Sequence, residues 1–189
     1  MHREPPREVL KAPKYETSFS DYDRVKILIE YGGIYLDMDV LAIQPLDEVR
    51  KYECTLGLED HYKVCAGVIV CAKDHPFLYI WIDTYYDDWE DYKHIWAFHP
   101  GNVATVLTKR YPHLIHIEAE KFHSPSYHEK DLQYICGAKP FDWREHYLLH
   151  TWIRKWYTCS LPNEESIRTL NSTYGQIARQ VYFGPEELS

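Results

Sequence analysis

No apolar run in this chain is long enough to cross a bilayer. The longest strongly apolar stretch, Val64 to Ala72, falls far short of the ~20 residues a membrane helix needs. The N-terminal His2-Arg3-Glu4-Pro5-Pro6 lacks the apolar core of a secretory signal, so the chain as written reads as soluble. There is no excess of base either. With 21 Lys+Arg against 29 Asp+Glu the formal charge is −8, which argues against a nucleic-acid binder. The five cysteines, Cys54, Cys65, Cys71, Cys136 and Cys159, contain no C-x-x-C pair, so neither a zinc ribbon nor a disulfide framework is indicated. Nor do the 11 histidines include an H-E-x-x-H motif. Internal repeats and low-complexity tracts are absent.

What is present fits a folded domain. Of 189 residues 45% are hydrophobic and 26% charged, and 17 Tyr and 6 Trp help lift the aromatic share to 15%, a composition that excludes disorder. A chain of this size buries roughly 70% of the surface its unfolded form exposes, so one domain is expected. Residues 1–19, with Pro5, Pro6 and Pro13 among many charges, read as an extended lead-in, and 20–189 as a single, partial domain. Ser20 is a good N-cap with Asp23 three residues on, Val25, Leu28 and Ile29 give a helical stripe, and Gly32-Gly33 ends it. Ile34 to Val40 then reads as a short, largely buried strand.

Further on, Val64 to Cys71 is a buried strand, on which Cys65 and Cys71 would face one side, too far apart to bridge. Asp74-His75-Pro76 opens a helix with Phe77, Ile80, Trp81 and Thr84 on one face. Val103 to Arg110 reads as a helix, Leu114 to Glu118 as a strand, and Tyr147 to Trp152 as a strand near the centre. Asn163 to Tyr182 reads as one capped helix. Asp87, Asp88, Glu90 and Asp91 look like a solvated acidic helix end, and Tyr85, Tyr86 and Trp89 like core. His94, His99, His113, His116, His123 and His128 receive no role. Helices interleaved with short apolar strands give an α/β fold with a mixed sheet.

The informative stretch is Ser20-Asp21-Tyr22-Asp23-Arg24 and then Tyr31-Gly32-Gly33-Ile34-Tyr35-Leu36-Asp37-Met38-Asp39. Residues two apart on a strand point the same way at about 6.5–7 Å, so Asp37 and Asp39 can present two carboxylates together. Their repulsion calls for a cation, and carboxylate oxygens suit Mg²⁺ and Mn²⁺, which bridge protein to phosphate oxygens. Asp21 and Arg24 lie one helical turn apart on one face. An acidic acceptor beside a guanidinium suits sugar hydroxyls, so the two pairs together describe a nucleotide-sugar site.

The pattern S-D-x-x-R-x-x-I-L-x-x-Y-G-G-I-Y-L-D-x-D-V resembles the DXD glycosyltransferases of the GT-A fold. The group is the sugar-binding region containing the DXD motif, with α-1,4-galactosyltransferases, initiating mannosyltransferases and glucosylating toxins among its members. The likeness is specific over residues 18–46 and looser to about 157, through Cys65-Ala66-Gly67-Val68-Ile69, Asp74-His75-Pro76-Phe77-Leu78 and Tyr147-Leu148-Leu149-His150-Thr151-Trp152. It implies an α/β GT-A fold with a mixed, mostly parallel sheet, here missing its first strands in an N-terminally truncated chain. It also implies Asp39 as a direct ligand of Mn²⁺ (or Mg²⁺), and Asp37 as a contact to ribose or donor sugar that holds metal-bound water. Asp21 and Arg24 would bind donor-sugar hydroxyls, with His150 and Trp152 near the diphosphate and His150 a further metal ligand or phosphate donor.

The activity implied is metal-dependent, retaining transfer of a hexosyl unit from a nucleotide sugar, a UDP-hexose first, to a hydroxyl of a glycan, glycolipid or glycoprotein. No nucleic acid partner is implied, and the location would be the Golgi lumen, with an anchor outside this chain. Where relatives usually carry Asn, this chain has Ala66, which motivates a second reading as a catalytically degenerate binding domain. A haloacid-dehalogenase-like phosphatase with Asp37 as nucleophile and Asp39 as acid/base is a more distant alternative.

Overall fold

A long amphipathic helix, α1 (Glu16–Tyr31), opens the part of the chain that the computed structural model describes, residues 16–87, 95, 97–137, 139, 141–156 and 163–184. Residues 16–19 are thus helical rather than extended, and 1–15 lie outside the described residues. Ser20 is inside the helix and not its N-cap. Its carbonyl and hydroxyl accept from the Arg24 guanidinium one turn later, at 3.2 and 3.3 Å. The expected stripe holds, with Val25, Leu28 and Ile29 buried and Tyr22 beside them. The helix stops because Gly32 takes φ +65°, its N–H closing on the Leu28 carbonyl at 2.8 Å. A Cβ there would sit 2.4 Å from the Lys73 backbone nitrogen, so a glycine is required.

The single buried strand expected over Ile34–Val40 is two pieces, β1 (Gly33–Leu36) and β2 (Val40–Ala42), parted by a turn at Asp37–Asp39. β1 is largely exposed, being the outer strand of a four-stranded sheet ordered β1-β4-β3-β5, with β3 Cys54–Leu58, β4 Val64–Cys71 and β5 His116–Glu118. The sheet is mixed as expected but not mostly parallel. β1–β4 and β4–β3 are antiparallel and only β3–β5 is parallel. The 59–63 link between β3 and β4 is too short for a crossover, which forces an antiparallel pair. Asp60 shapes that turn by accepting the Tyr62 and Lys63 N–H groups.

The turn at Asp37–Asp39 carries β2 out of this sheet, and it pairs instead with β6 (Leu148–His150) in an antiparallel ribbon, Val40 opposite His150. β6 is therefore buried as anticipated but outside the main sheet. A bulge distorts β4. Leu56 faces Ile69 while Gly57 faces Cys65, leaving Ala66, Gly67 and Val68 unmatched on β3. The bulge reverses the alternation of faces, so Cys71 packs with Ile69 under the helices while Cys65 packs with Trp152 and Leu132 on the other side. The two cysteines do not share a face.

On the helix-covered side, α2 (Pro76–Asp87) buries Phe77, Leu78, Trp81, Ile82 and Tyr85. This face is rotated from the expected one, and Ile80 and Thr84 lie at its margin. Tyr85 is core as anticipated, stacked on His99 at 4.2 Å, and Trp81 donates its indole N–H to the His99 carbonyl. Trp89, His94 and the acidic residues 88, 90 and 91 lie outside the described residues. A π-helical turn, Phe98–Val103, leads into α3 (Ala104–Arg110), and α4 (Glu129–Ile135) and α5 (Ile153–Trp156) flank the ribbon.

The single C-terminal helix expected is two, α6 (Glu164–Thr169) and α7 (Thr173–Phe183). Asn163 caps the first as foreseen, through a capping box with Ser166, and Ser172 caps the second. Gly175 lets α7 fold back, since a Cβ there would lie 2.1 Å from the Leu170 carbonyl oxygen. Among the described residues no helix is long and apolar enough to cross a membrane.

Trp81 is fully buried in the core cluster that joins α1 and α2 to the sheet. Trp81→Ala is expected to lower the unfolding free energy by about 3–5 kcal/mol, read from urea unfolding.

Candidate functional site

The reversal at Gly32–Gly33 lays β1 back along α1, so the N-terminal half of the helix stands over the tip of the strand. Arg24, buried there, organises the corner. Its Nη2 pairs with Asp21 Oδ1 at 2.9 Å, and its Nη1 meets Asp37 Oδ1 at 3.3 Å and donates to the Ala66 carbonyl at 2.8 Å. The guanidinium lies over the Tyr35 ring at 4.4 Å, and the Tyr35 hydroxyl donates to Asp37 Oδ1 at 2.7 Å. The Ala66 carbonyl is turned toward Arg24 at the bulge in β4, and Asp37 N–H bonds the next carbonyl, that of Gly67, at 2.8 Å.

Asp39 is held from the ribbon. Its backbone carbonyl accepts from both the N–H and the hydroxyl of Thr151, each at 2.8 Å. Its carboxylate lies 3.1 Å from His150 Nε2. Ligand atoms of Asp37, Asp39 and His150 fall within 4.8 Å of one another. Gly67 forms the floor, where a Cβ would come 2.8 Å from His150 Cε1 and 3.0 Å from Asp37 Oδ2. Two carboxylates and one imidazole over a floor without a side chain make a donor set suited to Mn²⁺ or Mg²⁺.

All six residues singled out in the sequence, Asp21, Arg24, Asp37, Asp39, His150 and Trp152, converge here. Trp152 stacks on His150 with ring centroids 3.6 Å apart, and its indole N–H goes to the Pro125 carbonyl. What it offers the site is therefore a face behind the imidazole. Two neighbours of the cluster were not anticipated. His123, fully buried, has its Nδ1 3.3 Å from His150 Nδ1, and nothing in the sequence ties it to a residue so far along the chain. Glu59, at the end of β3, is a buried acid whose Oε1 meets no hydrogen-bond partner. It lies close enough to His150 to share its field.

The electrostatics follow from burial and neighbours. Burial pushes the Asp21 carboxyl up to about 6 against the opposing charge of Arg24, and burial pushes Tyr35 up to about 12. Burial raises Asp39 too, but the His150 hydrogen bond and charge, together with backbone N–H donors of Asp39 and Ile153, outweigh it and hold the carboxyl below its usual range. Burial first, and then the neighbouring His150, keep His123 well below the usual imidazole range. Glu59 is raised by burial.

A family profile, the glycosyltransferase sugar-binding region containing the DXD motif, matches residues 3–56. This part of the chain is thus similar to the sugar-binding region of the DXD-motif glycosyltransferases, as its sequence pattern implied. Glucan organizing enzyme 1 of Cryptococcus neoformans var. grubii is 25% identical over 173 residues, 82% of this chain and 45% of that protein. Inositol phosphoceramide mannosyltransferase 3 of Schizosaccharomyces pombe is 38% identical over 64 residues, 34% of this chain and 18% of that protein. Lactosylceramide 4-alpha-galactosyltransferase of Mus musculus is 26% identical over 95 residues, 49% of this chain and 24% of that protein. The chain spans less than half the length of each of these relatives. No solved structure matches it.

Asp21 has its folded pKa raised above the unfolded value of 3.8. Its contribution to stability is therefore full below about pH 4 and lost as pH rises through about 6. Asp21→Asn should remove this dependence, worth on the order of 2–3 kcal/mol. The measurement is the difference between wild-type and variant unfolding curves across pH 4 to 7.

Proposed function

We propose that this domain performs metal-dependent transfer of a hexosyl unit from a nucleoside-diphosphate sugar to an acceptor hydroxyl, with retention at the anomeric carbon, on a GT-A fold. The observation that carries the reading is the meeting of Asp37, Asp39 and His150 within 4.8 Å over Gly67, beside the Arg24–Asp21 pair. The relatives' names, a lactosylceramide galactosyltransferase and an inositol phosphoceramide mannosyltransferase, support a glycosylated-lipid or glycan acceptor. A UDP-hexose is the donor proposed. The Golgi lumen is the proposed location, by likeness to such enzymes.

In this reading Asp39 and Asp37 would hold Mn²⁺ or Mg²⁺, and His150 would add an imidazole nitrogen. The bound ion supplies Lewis-acid stabilisation of the diphosphate leaving group. Asp21, half-protonated near pH 6, accepts from and donates to sugar hydroxyls, while Arg24 holds it and Asp37 in place. Tyr35 and Arg24 both bind Asp37 Oδ1, fixing that carboxylate as a ligand rather than leaving it free to attack phosphorus, which argues against a phosphatase. Trp152 and His123 hold the His150 ring so that Nε2 faces the carboxylates.

Asp39→Asn should weaken Mn²⁺-dependent UDP binding at least tenfold in calorimetry while leaving circular dichroism unchanged. Wild-type chain should also hydrolyse a UDP-hexose slowly in the presence of Mn²⁺. Equal Mn²⁺-dependent affinity in the variant would overturn the metal assignment. Binding with no turnover of any nucleotide sugar would favour the degenerate-domain alternative.

A further inference from the structure

We propose that Cys54 and Cys71 are a cross-strand disulfide site that staples the start of β3 to the end of β4, apart from the carboxylate cluster at Gly67. The two residues are in register. The Ala72 N–H donates to the Glu53 carbonyl at 2.7 Å, so the flanking pair carries the backbone bonds and Cys54–Cys71 is a non-hydrogen-bonded pair. At such positions the Cα atoms stand about 4.5 Å apart and the side chains are at their closest. A disulfide spans Cα separations of roughly 4.4–6.8 Å.

Both thiols are buried on the helix-covered face. On the other flank of β4 the partner of Cys71 is Gly33, which has no side chain, so Cys54 is the side chain that meets it across the sheet. Contact between the two thiols raises the Cys54 pKa further above its ordinary range, beyond what burial does.

The nearby His75 invites a metal instead, because its ring nitrogen and both sulfurs lie within 4.8 Å of one another. The imidazole is already committed, however. Nδ1 accepts the Phe77 N–H at 3.3 Å, so the neutral ring carries its proton on Nε2, which faces Glu53 at 3.8 Å. Neither nitrogen has a lone pair free for an ion without breaking the start of α2, and two sulfurs alone fall short of the usual four-ligand site. The pair is better matched to each other than to a metal.

Closure needs a two-electron oxidant, for which a small-molecule disulfide such as oxidised glutathione serves. One cysteine thiolate attacks it, releasing one reduced glutathione and leaving a mixed disulfide. The second thiolate then displaces the other glutathione as the Cys54–Cys71 bond forms. Two electrons pass to glutathione, and its released thiolates take up the two protons. Because the sulfurs are buried once the strands have paired, the bond forms as β3 and β4 come together.

The test refolds the full chain from denaturant in a buffer of oxidised and reduced glutathione, alkylates the free thiols and maps peptides by mass. The expected result is one cross-linked peptide joining Cys54 to Cys71 with Cys65, Cys136 and Cys159 alkylated, and a Tm that falls by several degrees on adding dithiothreitol. Cys54→Ser should abolish that reductant-dependent fall. Alkylation of both Cys54 and Cys71, pairing of either with another cysteine, or alkylation of the pair only after a chelator is added would each overturn the proposal.

Discussion

A buried guanidinium is the constraint around which this domain is built. Taking a cation out of water costs several kcal/mol unless partners replace the lost solvation. For Arg24 those partners come from three separate elements: Ser20 and Asp21 on its own helix, Asp37 at the end of β1, and the Ala66 carbonyl in β4. None of the three can drift without stranding the charge. The bulge in β4, the left-handed turn at Gly32 and the break after Leu36 are therefore linked, since each aims one partner at the same point.

The other side of the carboxylate cluster is assembled by a different logic. The Asp37–Asp39 turn leaves the sheet and is caught by the ribbon, where Thr151 takes the Asp39 carbonyl twice and His150 takes its carboxylate. Gly67 lets the two sides approach, because any side chain there would strike His150 and Asp37. The cluster is thus the meeting place of a sheet edge and a ribbon, both positioned by backbone hydrogen bonds.

Much of the site was legible in the sequence because it is local. Asp21 and Arg24 share a helical face, Gly32–Gly33 is a reversal, and Asp37 and Asp39 sit two apart. Even His150 and Trp152 form a short pattern of their own. What could not be read depends on distant pairings. His123 enters only because β6 brings His150 beside it, and the strand over Ile34–Val40 splits because the backbone at Asp37–Asp39 follows the ribbon. Apolar content at Ile34 and Leu36 predicted burial, yet both side chains are exposed on the outer strand. The helix-versus-helix pair after Asn163 was hidden because Ser172 starts a second cap within an otherwise continuous helical pattern. The rotated face of α2 shows that periodicity locates a stripe more readily than it decides which side is pressed into the core.

The imidazole of His150 is clamped on three sides, by Asp39 at one nitrogen, His123 at the other and the Trp152 ring across its face. A ring so confined has already surrendered its rotational freedom during folding. In the metal-binding role proposed for it, His150 would need almost no reorganisation, and the entropy that a floppy side chain would forfeit on capture would not be charged to the binding step.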